Sequence, residues 1–131
     1  MLVTRRSDYA TRIIRVLKDG NIHNVSEMCD LEEIPKAFAY KILRELEAAG
    51  LVKSERGNRG GYILNRSLED ITLYDIISIT EDDVAILHCM KEECDRNPAD
   101  MPCKVHKEFA RIQTVLMNEM RKKSMAEILD N

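Results

Sequence analysis

The sequence predicts a mainly helical chain with one small β-hairpin. Three observations lead there. Apolar residues recur at helical spacing through most of the chain, as in Tyr9, Ala10, Ile13, Ile14 and Leu17. Residues 51–65 break that rhythm with two short strand-like runs around a Gly-rich turn. Aromatic residues are only 5% of the 131 and Trp is absent, so the core falls to Leu, Ile, Val and Met.

The elements follow in order. A first helix over about residues 4–18 keeps Arg5, Arg12 and Arg15 outside its apolar stripe, and Gly20 and Asn21 end it. Asn24 stands three residues before Glu27, the spacing of a capping box, and opens a short helix with Val25, Met28 and Cys29 inward. A tight connection through residues 31–34 leads to Pro35, which suits the first turn of the next helix. That helix has two faces. Phe38, Ile42, Leu46 and Ala49 form an apolar stripe, while Ala37, Tyr40, Lys41 and Arg44 form a polar, basic one. Gly50 closes it. Residues 51–56 and 61–65 are the strands, joined by Gly57-Asn58-Arg59-Gly60.

Thr72 and Asp75 cap a fourth helix carrying Leu73, Ile76, Ile77 and Ile79, and Glu81-Asp82-Asp83 ends it. Residues 84–102 contain Pro98 and Pro102 and show no sustained period. From about Cys103 a long helix runs to Lys123 with Val105, Phe109, Ile112, Leu116 and Met120 on one side. Ser124 and Glu127 form a last capping box. The expected organisation is a DNA-binding unit over residues 1–80, a loop over 81–103, and a long helix with a short terminal helix over 104–131.

Helix, short helix, tight turn, two-faced helix and basic hairpin is the order of a winged helix-turn-helix. A major groove admits one helix, and that helix needs an apolar back and a hydrogen-bonding front. Residues 35–49 offer both. Arg56 and Arg59 at the hairpin can reach phosphates or a narrow A·T-rich minor groove. Charge agrees: residues 1–66 hold twelve Lys and Arg against nine Asp and Glu, and residues 67–131 hold eight against fourteen. A polyanion therefore favours the N-terminal half. No apolar run approaches the ~20 residues of a membrane span, and the charged N-terminus is unlike a signal peptide. The expectation is a cytoplasmic protein. No nucleophile motif or phosphate-binding Gly loop points to an enzyme.

The second constellation is Cys89-x4-Cys94-x8-Cys103-x2-His106. Thiolates hold iron–sulfur clusters and zinc alike. Three thiols leave one position for His106, a carboxylate or an outside ligand. His88 is an alternative nitrogen donor, and metal-free redox thiols are a further alternative. Cys29 belongs to the core stripe, and His23 has no evident role. A zinc-stabilised interaction module without DNA binding is the contrasting reading, and the basic stretch 35–60 speaks against it.

Asp8-Tyr9-Ala10, the block ELEAAGLVKSERGNRGGYIL over 45–64 and ITLYDII over 71–77 carry a resemblance to the Rrf2 family of bacterial winged-helix regulators. The long helix and the SMAEIL ending fit it too. The resemblance implies a homodimer through the long helix on a partly palindromic double-stranded operator. It implies that Lys36, Ala37, Tyr40, Lys41 and Arg44 face bases and phosphates, and that Arg59 enters the minor groove. Cluster-binding members carry three cysteines just before the long helix, matching Cys89, Cys94 and Cys103. The IscR type adds a histidine after the third cysteine, which His106 matches. The NsrR type adds an aspartate of the partner subunit's first helix, which Asp8 matches. The eight residues between Cys94 and Cys103 exceed the usual five, so the fourth ligand and the choice of [2Fe–2S] or [4Fe–4S] stay open. The implied function is a regulator, a repressor, sensing redox state, nitric oxide or iron–sulfur status.

Overall fold

The computed structural model describes residues 3–86, 90, 94–96, 98 and 101–130. Helix α1 (Arg5–Val16) opens where the Thr4 hydroxyl accepts from the Arg6 N–H at 3.2 Å. It tightens into a 3₁₀ turn over Leu17–Asp19, and Gly20 stops it with a φ of 76°. Helix α2 (Val25–Glu32) starts with the expected capping box: the Glu27 N–H donates to the Asn24 side chain at 2.8 Å, and the Asn24 N–H donates back to the Glu27 carboxylate. The turn into α3 (Lys36–Ala48) is made by Glu33 in the left-handed region, φ 54°. Pro35 is the N-cap residue, one position before the first turn; its carbonyl accepts from the Ala39 N–H at 3.1 Å.

Strands β1 (Val52–Glu55) and β2 (Gly61–Leu64) pair antiparallel, with Val52 opposite Leu64 and Glu55 opposite Gly61. Beyond a 3₁₀ turn at Leu68–Asp70, helix α4 (Leu73–Thr80) carries the Thr72–Asp75 capping box. Helix α5 (Lys104–Lys122) is 19 residues long, and α6 (Met125–Leu129) opens with the Ser124–Glu127 box. None of the described helices is long and apolar enough to cross a membrane.

The core is one cluster joining α1, α2, α3, α4 and the start of β1. Tyr9, Ala10, Ile13, Ile14 and Leu17 are all in it, as are Val25, Met28 and Cys29. In α3 the buried stripe is Ala39, Ile42, Leu43 and Leu46, spaced i, i+3, i+4, i+7. It corrects the expected Phe38–Ile42–Leu46–Ala49 stripe. The helix is rotated so that Ala49 is exposed and Phe38 stays 42% exposed, its ring meeting Tyr9 edge-on at 5.6 Å. Met125 of α6 is fully buried in the same cluster, and its N–H donates to the Ile71 carbonyl at 2.6 Å. The C-terminal helix thus returns to the core beside α4, where Ser124 bridges Thr72.

The apolar side of α5 is only partly covered by the described residues: Phe109, Leu116 and Met120 are half-buried, while Ile112 is 39% exposed. Val105 is 61% and Val115 48% exposed, and Gln113 is the one α5 residue that is buried.

Candidate functional site

The front of α3 is built as the pattern requires. Lys36, Ala37, Tyr40, Lys41 and Arg44 are all exposed, while the alternate stripe is sealed in the core. The hairpin stands beside it. Glu47 of α3 accepts from the Ser54 hydroxyl at 2.8 Å and from the Ser54 N–H at 3.3 Å. Tyr62 of β2 lies among Glu47, Arg44 and Tyr40; burial is the main force pushing its phenol up. The hairpin is also tied to the α1–α2 connection. The His23 N–H donates to the Tyr62 carbonyl at 3.0 Å, and the Tyr62 N–H returns to the His23 carbonyl at 2.8 Å. Only glycine fits next to that bond, because a Cβ on Gly61 would lie 2.2 Å from the His23 carbonyl oxygen. The His23 ring bonds Asp19 Oδ2 at 2.8 Å and lies 3.3 Å from Glu27. These anchors were not foreseen; a serine in β1 seven residues after a helix glutamate gives no sequence signal.

The arrangement of charge separates two kinds of basic residue. Arg6 pairs with Glu45, Arg12 with Asp8 and Arg15 with Glu32, so three of the four cations of α1 are neutralised within the chain, Arg5 at its first position being the exception. Lys36, Lys41 and Arg44 on α3, and Arg56 and Arg59 on the hairpin, are exposed and form none of the chain's ion pairs among the described residues. Five uncompensated cations on one helix front and the adjacent hairpin make a surface suited to phosphate.

The cysteine segment lies between α4 and α5. Cys89 and His88 fall outside the described residues. Cys94 and Cys103 are half-buried thiols, not halves of a disulfide. Cys103 is the N-cap residue of α5, where the helix end favours negative charge. His106 follows one turn later on the same side, half-buried. Among the described residues, no three His, Cys, Asp or Glu side chains gather as a metal site. Asp8 is engaged elsewhere, accepting from Arg12 at 3.2 and 2.9 Å. Cys29 is a core thiol whose pKa burial pushes up.

Two contacts fix the start of this segment. At its near end Glu81 caps α4 and accepts from the Ser7 hydroxyl at 2.6 Å and from the Thr4 N–H at 3.2 Å. Burial pushes its carboxyl up, but the hydrogen bonds of Ser7 and Thr4 and the charge of Arg6 outweigh this and hold it below the usual range. Three residues on, Gln113 of α5 takes hold. Its Oε1 accepts from the Ile86 N–H at 2.7 Å, and its Nε2 donates to the Val84 carbonyl at 2.8 Å.

Comparison with known proteins fits this architecture. The model of the Rrf2 family, described as "Iron-dependent Transcriptional regulator", matches residues 3–131. Protein aau3 of Rhizobium meliloti (strain 1021) is 32% identical over 93 residues, which are 70% of this chain and 60% of that protein. A candidate HTH-type transcriptional regulator of Aquifex aeolicus (strain VF5) is 29% identical over 116 residues, 87% of this chain and 80% of that one. Among solved structures, CymR, the global cysteine regulator of B. subtilis, superposes with a TM-score of 0.81 at 19% identity, covering 99% of this chain and 97% of its own. T. potens IscR gives 0.77 at 22% identity, covering 99% and 87%. At such identities the two structures establish the fold.

Proposed function

The chain belongs to the Rrf2 family of transcriptional regulators, and from that premise we propose a DNA-binding homodimer, a repressor, that senses redox, nitric oxide or iron–sulfur status. The observation carrying the DNA interface is the charge pattern: Arg6, Arg12 and Arg15 of α1 are internally paired, whereas Lys36, Lys41 and Arg44 of α3 and Arg56 and Arg59 of the hairpin form none of the ion pairs among the described residues. In this reading α3 enters the major groove, with Lys36, Ala37, Tyr40, Lys41 and Arg44 toward bases and phosphates. Arg56 lies over the backbone and Arg59 enters the adjacent minor groove. The exposed apolar residues of α5, Val105, Ile112 and Val115, pack on their counterparts in a second copy. Two half-sites on one face of DNA then need a fixed spacing near ~34 Å or a multiple.

Cys89, Cys94 and Cys103 hold an iron–sulfur cluster in this proposal, and His106 completes the shell. The donor set and the chain length support the fit. Ile86 is pinned to Gln113, and the three residues to Cys89 reach at most ~10 Å. His106 lies seven residues before Gln113, about 10.5 Å along the helix and within ~20° of the same face. Full extension of those three residues toward the start of α5 brings the chain about level with His106, with Cys103 a further ~4.5 Å along. The partner's copy of Asp8 is the alternative fourth ligand; in this chain Asp8 holds Arg12 through both oxygens in a surface ion pair. The cluster supplies a centre that nitric oxide, oxygen or iron shortage damages. The chain's own part is to order residues 84–106 between the DNA-binding unit and α5, and so to set the separation of the two α3 helices.

The test is an absorption and Mössbauer spectrum of protein purified without oxygen, paired with binding to a fluorescein-labelled duplex selected from a random library. A visible charge-transfer band that weakens in His106→Ala and persists in Asp8→Ala is expected. A colourless, iron-free protein that binds the duplex normally, or one carrying zinc, overturns the cluster reading. A band lost only in Asp8→Ala transfers the fourth position to that residue.

A further inference from the structure

Gln113 stands out because its amide is placed where a helix facing the protein interior ordinarily puts an apolar side chain. It is 7% exposed, on a helix whose other residues are at least partly open to solvent. Burying an amide gains nothing by transfer from water and costs free energy unless both ends are bonded. Both ends are bonded here, to two main-chain groups of one short segment: the Val84 carbonyl and the Ile86 N–H. These groups flank Ala85 on the edge that a neighbouring strand would pair. The side chain thus stands in for a strand and leaves neither group unsatisfied. Residues 84–86 lie between the Glu81 anchor on α1 and the cysteines, and Gln113 shares its helix face with His106 one heptad away.

We propose that Gln113 is a positioning residue: its amide fixes the cysteine segment in register on α5, and through it the state of that segment reaches the DNA-binding end. This rests on the reading of the segment as the sensing element, whatever the thiols hold. A leucine at this position would fill the same space but offer no directional bond. The segment could then slide along the helix without moving it. With the amide in place, a displacement of Val84 or Ile86 must carry α5 along or break two hydrogen bonds.

A double-mutant cycle tests this on the full-length chain, with Cys94→Ser, Gln113→Ala and the pair, each titrated against the selected duplex. Cys94→Ser is expected to change duplex affinity by about tenfold, within the usual range of allosteric coupling. In the Gln113→Ala background the same change should fall below about twofold. Amide exchange at Ile86 should quicken in Gln113→Ala. Gln113→Glu, close in size but with an acceptor facing the Val84 carbonyl in place of the donor, should lose the coupling too, with a lowered melting temperature. A merely structural role lowers the melting temperature and leaves the effect of Cys94→Ser equal in both backgrounds; that result overturns the proposal. So does a Cys94→Ser variant that binds the duplex as wild type does. Iron-free wild-type protein with a non-additive cycle sinks the cluster and sustains Gln113.

Discussion

Replacing Arg59 by alanine should flatten the salt dependence of operator binding by an amount set by the number of copies at the interface. Arg59 is exposed at the hairpin tip and forms none of the chain's ion pairs among the described residues, whereas nearby Lys53 lies 3.7 Å from Glu55. Each cation that displaces a DNA counterion contributes about 0.9 to the slope of log affinity against log salt. A dimer brings two copies, so the slope should fall by about 1.8. From 50 to 200 mM salt, a fourfold range, the variant should lose about one decade less affinity than wild type. Arg15→Ala removes the same charge from a guanidinium already held by Glu32, so its slope should match wild type. Lys123→Ala, at the far end of α5, is a second control. Fluorescence anisotropy of the selected duplex at three salt concentrations measures all four proteins. Exchanging the A·T-rich steps of the duplex for G·C should weaken wild type and leave Arg59→Ala nearly unchanged. Equal slopes for wild type and Arg59→Ala would refute the minor-groove assignment, and an equal drop in Arg15→Ala would reduce the effect to net charge.

Met125→Ala empties a fully buried site beneath α4 and should cost about 2–5 kcal/mol in urea unfolding, while Met101→Ala, 74% exposed in wild type, should stay within ~0.5 kcal/mol; a Met125 loss below ~1 kcal/mol would contradict the packing of α6. Gly61→Ala drives a methyl against the His23 backbone, with no side chain able to yield, and should cost about 1–3 kcal/mol with faster amide exchange at Tyr62 and His23. Unchanged exchange at both amides would show the hairpin is not stapled there. Glu81→Gln tests the α1–α4 anchor through pH. The folded carboxyl is held below its ordinary value of 4.5, so its contribution is full above that pH and is lost as pH falls through the folded pKa. Wild type should therefore exceed Glu81→Gln in stability by a constant margin at neutral pH and lose that margin below about pH 4.5; a margin that stays flat down to pH 3 would rule out the carboxylate as the source.

Much of this architecture was legible because local signals agreed with one another. The three capping boxes, at Asn24, Thr72 and Ser124, each set a helix start that the structure reproduces. The inward stripes of α1 and α2 followed from the helical period alone. In α3 the period was right and the phase partly wrong. Phe38 and Ala39 are adjacent apolar residues, and the larger one was assigned inward. The tight helix–helix approach admits Ala39, while Phe38 finds Tyr9 at the margin. The basic front survived that error because Ala37, Tyr40, Lys41 and Arg44 lie opposite either stripe. What could not be read were pairings between distant elements: Glu47 with Ser54, Arg6 with Glu45, Gln113 with Val84 and Ile86. Such contacts depend on how far two elements are brought together, and a pattern within one element carries no trace of it. The return of Met125 to the core was hidden for the same reason.

That return has a mechanical consequence. The far end of α5 is pinned: Arg121 stacks on the Tyr74 ring at 3.8 Å, Ser124 bridges Thr72, and Met125 is locked in the core. The near end carries Cys103 and meets the cysteine segment. A 19-residue helix is about 28 Å long, and held at one end it pivots as a lever. One ångström of travel at Cys103 becomes roughly two degrees of tilt over that length. In a dimer closed through this helix, both arms tilt together and the two reading heads splay or converge. In the proposed sensor, a change at the thiols would then be read out as an angle between subunits.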